Sequence, residues 1–272
     1  MGRPTIDEPL RRLAEDPAAF LPAEPGEERI EDARFVISLQ RERHPWSVGV
    51  QRLRLDPREV RSTVAEIRDL LTARGRSASM WSVGSSALPS DLPDRLQALG
   101  MVPEDGPGEA AMVLARPPES LPPTSFVVRL AETAHEYRAA ADVMIEAFGF
   151  DPSDAVEARA QAETRFERSR ASAHTRLALV WEDDVPIATG RVTFTPWGLF
   201  LGGGGTLPRA RARGAFSALI PAAWREAVRR GTPALVTWAR RDTSEPILAR
   251  LGFEEVATIR QLRDDLGTGA GA

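Results

Sequence analysis

The sequence predicts a mixed α/β protein of two modules in tandem, each a mostly antiparallel, twisted sheet flanked by helices. Three observations predict it. Arg176–Trp181, Ile187–Thr195 and Leu199–Leu207 are consecutive β-rich runs with short breaks, the pattern of an antiparallel meander. Gly214–Arg230 then repeats apolar residues at helical spacing and leads into the apolar run Ala234–Trp238, a strand–helix–strand crossover. Upstream, Arg116-Pro117-Pro118-Glu119-Ser120-Leu121-Pro122-Pro123 disfavours helix and central strand alike and sets a first β-β-α-β-α-β series apart from the second.

Residues 1–29, rich in Pro, Glu and Ala and without a clean period, read as an N-terminal arm. The first module spans 30–117. In it, Arg34–Gln40 and Trp46–Leu55 alternate around the polar turn Arg41–Pro45 and predict a hairpin. Asp56 caps a helix running to Arg74, with Val60, Val64, Ile67 and Leu71 on one face, and Gly75 stops it. Ser79–Gly84 reads as a strand, Ser90–Leu99 as a short helix closed by Gly100, and Ala110–Arg116 as a strand. Residues 118–124 are the linker, 125–266 the second module and 267–272 a flexible tail. The second module opens with strand Phe126–Leu130, helix Thr133–Phe148 ended by Gly149, and helix Asp151–Arg168 with Pro152 in its first turn. The meander turns at Glu182-Asp183-Asp184. After the crossover come a short helix, Ser244–Leu251, and a closing strand, Phe253–Arg263.

Composition narrows the function classes. A chain of 272 residues, 42% hydrophobic and 27% charged, has the make-up of a soluble globular protein with room for two modest domains. It contains no Lys, so all 35 basic residues are Arg; they are interspersed with acids at a net charge of −4, which leaves no basic stripe for nucleic acid. No apolar stretch approaches ~20 residues, so no membrane partner is expected. Cysteine is absent, which removes disulfides, thiolate ligands and a Cys nucleophile and suits a cytoplasmic location. His44, His135 and His174 lie at no metal-ligand spacing, and no metal is expected. No G-x-S-x-G elbow occurs to support Ser-His-Asp chemistry.

The most informative stretch is Leu199–Leu219, where a glycine-rich strand passes through Pro208 into a helix opening Arg211-Ala212-Arg213-Gly214-Ala215-Phe216-Ser217. The first turn of a helix leaves N–H groups without intrahelical acceptors and adds a partial positive charge. Gly214 lets an anion approach the backbone, and Arg211 and Arg213 add attraction, so the segment reads as a diphosphate site made of main chain. A P-loop is excluded because it needs Lys; the dinucleotide pattern fails because its third glycine would fall on Leu207 or Pro208.

This stretch resembles the GNAT superfamily of acyltransferases, whose cofactor signature is [Arg/Gln]-x-x-Gly-x-[Gly/Ala] at the helix after the fourth strand. Arg211-Ala212-Arg213-Gly214-Ala215-Phe216 follows it except that Phe216 replaces the small residue. A second element, Ser244–Phe253 ending in Leu251-Gly252-Phe253, is similar to the family's short helix before the last strands, and the resemblance covers about half the chain. It implies a GNAT-like fold and acetyl-CoA as co-substrate. The strand through Thr206 and Leu207 would carry the pantetheine, Arg211 to Ser217 would hold the pyrophosphate, and the thioester would sit where the strands holding Thr206 and Ala234–Trp238 splay apart. The reaction implied is direct acetyl transfer to a primary amine on a small molecule or protein. Many relatives protonate the leaving sulfur with a Tyr four residues before the Gly of Leu-Gly-Phe; here Leu248 stands there. Ser244 is a substitute nearby, both as a cofactor contact and as a catalytic group, and it serves equally well as a helix cap; water is another donor for the thiolate, and Glu146 and Asp151 are carboxylates that could face the acceptor or be solvated. The only Tyr, Tyr137, is expected to pack. Because the usual acid is missing, a non-catalytic CoA-binding sensor or scaffold is the alternative, and tRNA-dependent aminoacyl transfer a third class that the acidic balance disfavours. The first module, with Leu99-Gly100-Met101 but no counterpart of Arg211–Phe216, reads as a degenerate GNAT-like module without a CoA site, covering a sheet edge, shaping the acceptor cleft or forming a homodimer surface; the alternative is an unrelated βα layer whose helix ends in Leu-Gly.

Overall fold

The computed structural model describes residues 6–41, 47–119 and 125–266. They fall into two compact units. Among the described residues, the C-terminal unit gathers those of 113–238 and 246–254 with 6–10; the N-terminal unit gathers those of 11–112 with 239–245 and 255–266.

Helix α1 (Glu8–Glu15) opens the described chain. In the N-terminal unit, β1 (Glu28–Glu31), β2 (Val36–Leu39) and β3 (Val48–Gln51) pair antiparallel in order. The polar run Glu-Arg-Ile-Glu of β1 has no strand signature, and its conformation comes from pairing with β2. Apart from Arg41, the predicted turn Arg41–Pro45 lies outside the described residues, as do Trp46, the linker from Ser120 and the tail 267–272. Helix α2 (Val60–Ala73) crosses from β3 to β4 (Ala78–Gly84), and the two strands run parallel through Gly49↔Met80 and Val50↔Trp81. The predicted stripe Val60, Val64, Ile67 and Leu71 is buried in one core with Phe35, Trp81, Leu92 and Leu96. Helix α3 (Leu92–Ala98), β5 (Val102–Pro103) and β6 (Glu109–Leu114) follow.

In the C-terminal unit, β7 (Val127–Leu130) precedes α4 (Ala134–Phe148), α5 (Pro152–Ala160) and α6 (Ala162–Ala171). Thr133 and Glu136 form a capping box on α4, and Gly149 ends it at φ 64°. The single predicted helix Asp151–Arg168 is broken at Gln161. Each piece buries its own small residues, Ala155 and Ala158, then Ala162 and Ser169. Their spacing also fits one unbroken helix, so the sequence carries no signal of the break.

Then β8 (Thr175–Glu182), β9 (Val185–Phe194) and β10 (Leu199–Thr206) form the predicted meander. Asp183 and Asp184 turn it at φ 47° and 62°, the doubly left-handed geometry of a two-residue hairpin loop. Helix α7 (Leu219–Arg229) crosses to β11 (Leu235–Arg240), parallel to β10, and α8 (Glu245–Arg250) follows.

The last strand, β12 (Glu254–Asp265), was expected to close the module of residues 125–266. Instead it pairs antiparallel with β4 from Ile259↔Gly84 to Asp265↔Ala78, and from Glu255 onward it groups with the N-terminal unit. Leu262 completes that unit's core, and the Arg68 guanidinium grips the buried Asp264 carboxylate at 2.7 and 2.9 Å.

Candidate functional site

The segment between β10 and α7 folds as a sequence of turns rather than as the first turns of the predicted helix Gly214–Arg230, and α7 begins only at Leu219. The cause is local. Ala212 and Gly214 adopt left-handed backbone, φ 58° and 82°, and a right-handed helix cannot include them. Gly214 tolerates this without a Cβ, whereas Ala212 costs about 1–2 kcal/mol. The alternation Arg211 (φ −66°), Ala212, Arg213, Gly214 between negative and positive φ is the way backbone anion nests gather N–H groups.

Arg211 N–H donates to Pro208 O at 3.3 Å and Ala218 N–H to Gly214 O at 3.0 Å. The six N–H groups between them, Ala212 to Ser217, have no acceptor among the described residues. Arg211, Ala212 and Arg213 are exposed and Gly214 and Phe216 half-buried, so the first part of this turn is open to solvent. Ala215 and Ser217 bury their side chains and hold the turn in place.

The two arginines do different work from the attraction expected of them. The Arg211 guanidinium turns back on the chain: it donates to Ala147 O at 2.6 Å and to Thr206 O at 3.3 Å, tying the turn to the end of α4. Arg213 pairs with Glu182, Nη1 to Oε2 at 3.0 Å, and lies over the Phe126 ring. The hydrogen bonds to Glu182, then its charge, raise the Arg213 pKa. Ala147, Glu182 and Phe126 were not among the predicted site residues. They are 64, 31 and 87 positions from their partners, and nothing local in the sequence marks them.

Beside the turn, β10 and β11 pair from Leu199↔Leu235 to Leu201↔Thr237 and no further. From Gly202 onward β10 pairs with β9 alone, across a bulge between Gly202 and Gly205. Gly203 stands at φ 57°. A Cβ at Gly205 would meet Met144 Sδ at 2.9 Å and Phe148 Cε2 at 3.2 Å, and one at Gly204 would meet Phe216 Cε2 at 3.2 Å. The glycines thus let α4 and Phe216 pack closely against β10. Thr206 is half-buried, while Leu207 is buried and spends its N–H on Ile187 O at 2.9 Å.

Leu248, in the position of the family's Tyr, is fully buried and carries no proton donor. Leu251-Gly252-Phe253 is a helix stop: Phe253 N–H bonds Leu248 O at 3.1 Å and Gly252 N–H bonds Ala249 O at 3.1 Å, with Gly252 at φ 97°. Ser244 directly precedes α8 and makes no hydrogen bond through its hydroxyl among the described residues; its stretch, Ala239–Glu245, groups with the N-terminal unit. Tyr137 packs in the core against Phe166, ring centroids 5.6 Å apart. His44 lies outside the described residues. Among the described residues no group of three or more His, Cys, Asp or Glu could hold a metal, and no helix is long and apolar enough to cross a membrane.

No protein-family model and no curated protein matches the chain by sequence. Solved structures do match by fold. A GCN5-related N-acetyltransferase from Kribbella flavida is 22% identical with a TM-score of 0.68, over 96% of this chain and 97% of that one. A tandem GNAT protein from the clavulanic acid biosynthesis pathway is 18% identical with a TM-score of 0.59, over 98% and 90%. A GCN5-related N-acetyltransferase from Sphaerobacter thermophilus is 16% identical with a TM-score of 0.59, over 88% and 82%.

Proposed function

From the premise that the chain carries the GNAT fold along its length, we propose that it is an N-acetyltransferase that moves an acetyl group from acetyl-CoA to a primary amine. The observation that carries this reading is the run of N–H groups from Ala212 to Ser217, beside the place where β10 and β11 part. Consecutive amides without acceptors, at an exposed and backbone-strained turn, suit a diphosphate. The unpaired edge of β10 from Gly202 to Thr206 suits an amide-bearing arm that pairs as a strand would. The acceptor is a small molecule or protein amine.

Acetyl-CoA brings the thioester. The neutral amine nitrogen attacks the carbonyl carbon, the C–S bond breaks, and sulfur leaves as a thiolate. The amine proton passes to water and a proton from water meets the thiolate, because Leu248 is an apolar side chain sealed in the core. What the chain itself contributes is placement: fixed main-chain donors for the diphosphate and a gap between parallel strands for the reacting group.

The test is Gly214→Glu with Gly214→Ala as its control. Both bear the left-handed strain at φ 82°, but only Glu adds a carboxylate at the turn. CoA affinity by calorimetry should fall more than about 100-fold in Gly214→Glu and much less in Gly214→Ala. Equal affinities in the two variants would remove the turn from the binding site. Release of free CoA from acetyl-CoA across a panel of amines then separates a transferase from a protein that only binds.

A further inference from the structure

The N-terminal unit repeats the strand–helix–strand arrangement of β10, α7 and β11 in β3, α2 and β4, including a following short helix that ends in a left-handed glycine. The C-terminal ends of its parallel strands therefore stand where the C-terminal unit opens its gap. They are not left open. Beyond β3 the chain turns at Arg52, φ 52°, and Leu88 inserts alongside: Leu88 N–H donates to Leu53 O at 3.0 Å and Leu55 N–H to Leu88 O at 2.9 Å.

The arm reaches the same strand ends through three residues, Glu15, Asp16 and Ala18. Glu15 Oε1 accepts from Ser86 N–H at 2.5 Å, just past the end of β4. Asp16 Oδ1 accepts from Arg52 N–H at 3.0 Å, just past the end of β3, while its Oδ2 pairs with the Arg54 guanidinium at 3.2 Å. Ala18 N–H donates to the Gln51 side chain at 2.9 Å. Gly84 lacks the Cβ that would overlap Glu15. At the entrance of α2, Arg58 N–H donates to Asp56 Oδ1 at 2.8 Å, so a carboxylate of the chain sits where the C-terminal unit leaves its amides without acceptors.

We propose that residues Glu15–Ala18 of the arm are a built-in occupant of the N-terminal unit's strand gap, so that the chain holds one CoA, on the C-terminal unit alone. The occupant presents two carboxylates to the main-chain amides of both strand ends, and a second cofactor would have to displace all of these contacts together. From Arg11 onward the arm is thus part of the N-terminal unit's fold. The stoichiometry rests on the reading of the Ala212–Ser217 turn as a CoA site; the occupancy by the arm does not.

Two measurements on the full chain test it. Calorimetric titration with CoA should give one equivalent per chain, lost in Gly214→Glu. Two equivalents, or one equivalent that survives Gly214→Glu, would overturn the proposal. Residue-resolved hydrogen exchange reads the occupancy whatever the titration gives. The amides of Ala18, Arg52 and Ser86 should exchange slowly with and without CoA, and those of Ser86 and Arg52 about tenfold faster in Glu15→Ala and Asp16→Ala respectively. Rapid exchange of these amides in the unaltered protein, or no change in the variants, would refute the occupied gap. No CoA binding with slow exchange would retain the arm's role and discard the transferase reading.

Discussion

Asp16 is 5% exposed, and burial raises its carboxyl pKa against the lowering pull of Arg54. A carboxyl whose pKa is higher in the folded than in the unfolded chain binds its proton more tightly when folded. The stability it contributes is therefore fullest below the unfolded value and declines as pH rises through the folded one. Asp16→Asn keeps an acceptor for the Arg52 amide but cannot ionise. Its melting temperature minus that of the unaltered protein should become more positive between about pH 3 and about pH 7. A difference that is flat or falls across that range would contradict the burial argument. Composition alone gives no reason to single out this Asp from its many exposed counterparts. Its partners Arg52 and Arg54 are 36 and 38 residues away, so its environment exists only once the chain has folded. Gly214 is the opposite case: a glycine between arginines after a glycine-rich strand is visible in the sequence, and the structure gives it the left-handed backbone that only Gly adopts freely.

At the scale of elements, the bidentate contact of Arg68 on α2 with Asp264 on β12 holds the closing strand to the N-terminal unit. Arg68→Ala leaves a carboxylate that is 1% exposed without its counter-charge and should cost about 3 kcal/mol in denaturant unfolding, toward the lower end because Arg68 itself is a third exposed. A loss below about 0.5 kcal/mol would place the pair among ordinary surface ion pairs. The short helices show how far a local pattern can be trusted. Leu248–Phe253 and Leu96–Met101 share the same stop: Phe253 N–H reaches Leu248 O at 3.1 Å and Met101 N–H reaches Leu96 O at 3.2 Å, each over a left-handed Gly. The similarity of the two sequences is thus accounted for by backbone hydrogen bonding and a buried apolar pair, and carries information about fold rather than catalysis. The amphipathic stripe of α2 and the stop of α4 at Gly149 were equally legible, because each depends on residues three or four apart. The start of α7 was not: Gly214, the first residue of the predicted helix, stands at φ 82°, outside a right-handed helix, and the sequence alone does not show that φ.

For the whole molecule, a ligand that binds only the folded state should raise its melting temperature. Acetyl-CoA at about 100 times its dissociation constant adds about 2.7 kcal/mol, a shift of several degrees for domains of this size, and NAD should add none. A response to NAD but not to acetyl-CoA would overturn the cofactor class. The chain must fold as a whole for the test to mean anything, because its closing strand is built into the N-terminal unit. Truncation at the proline-rich segment would strip β4 of its partner along Ala78–Gly84.

By itself the sequence determined the meander, the crossover and most of the helices, because these follow from periodicity, caps and glycines acting over a few residues. Only the tertiary structure decided which unit the last strand joins, which amides at Ala212–Ser217 are left without acceptors, and that the arm covers the matching strand ends in the N-terminal unit. The physical reason is range. Edge strands and main-chain donors are satisfied by whichever partner the fold brings near, and no residue encodes a partner dozens or hundreds of positions away.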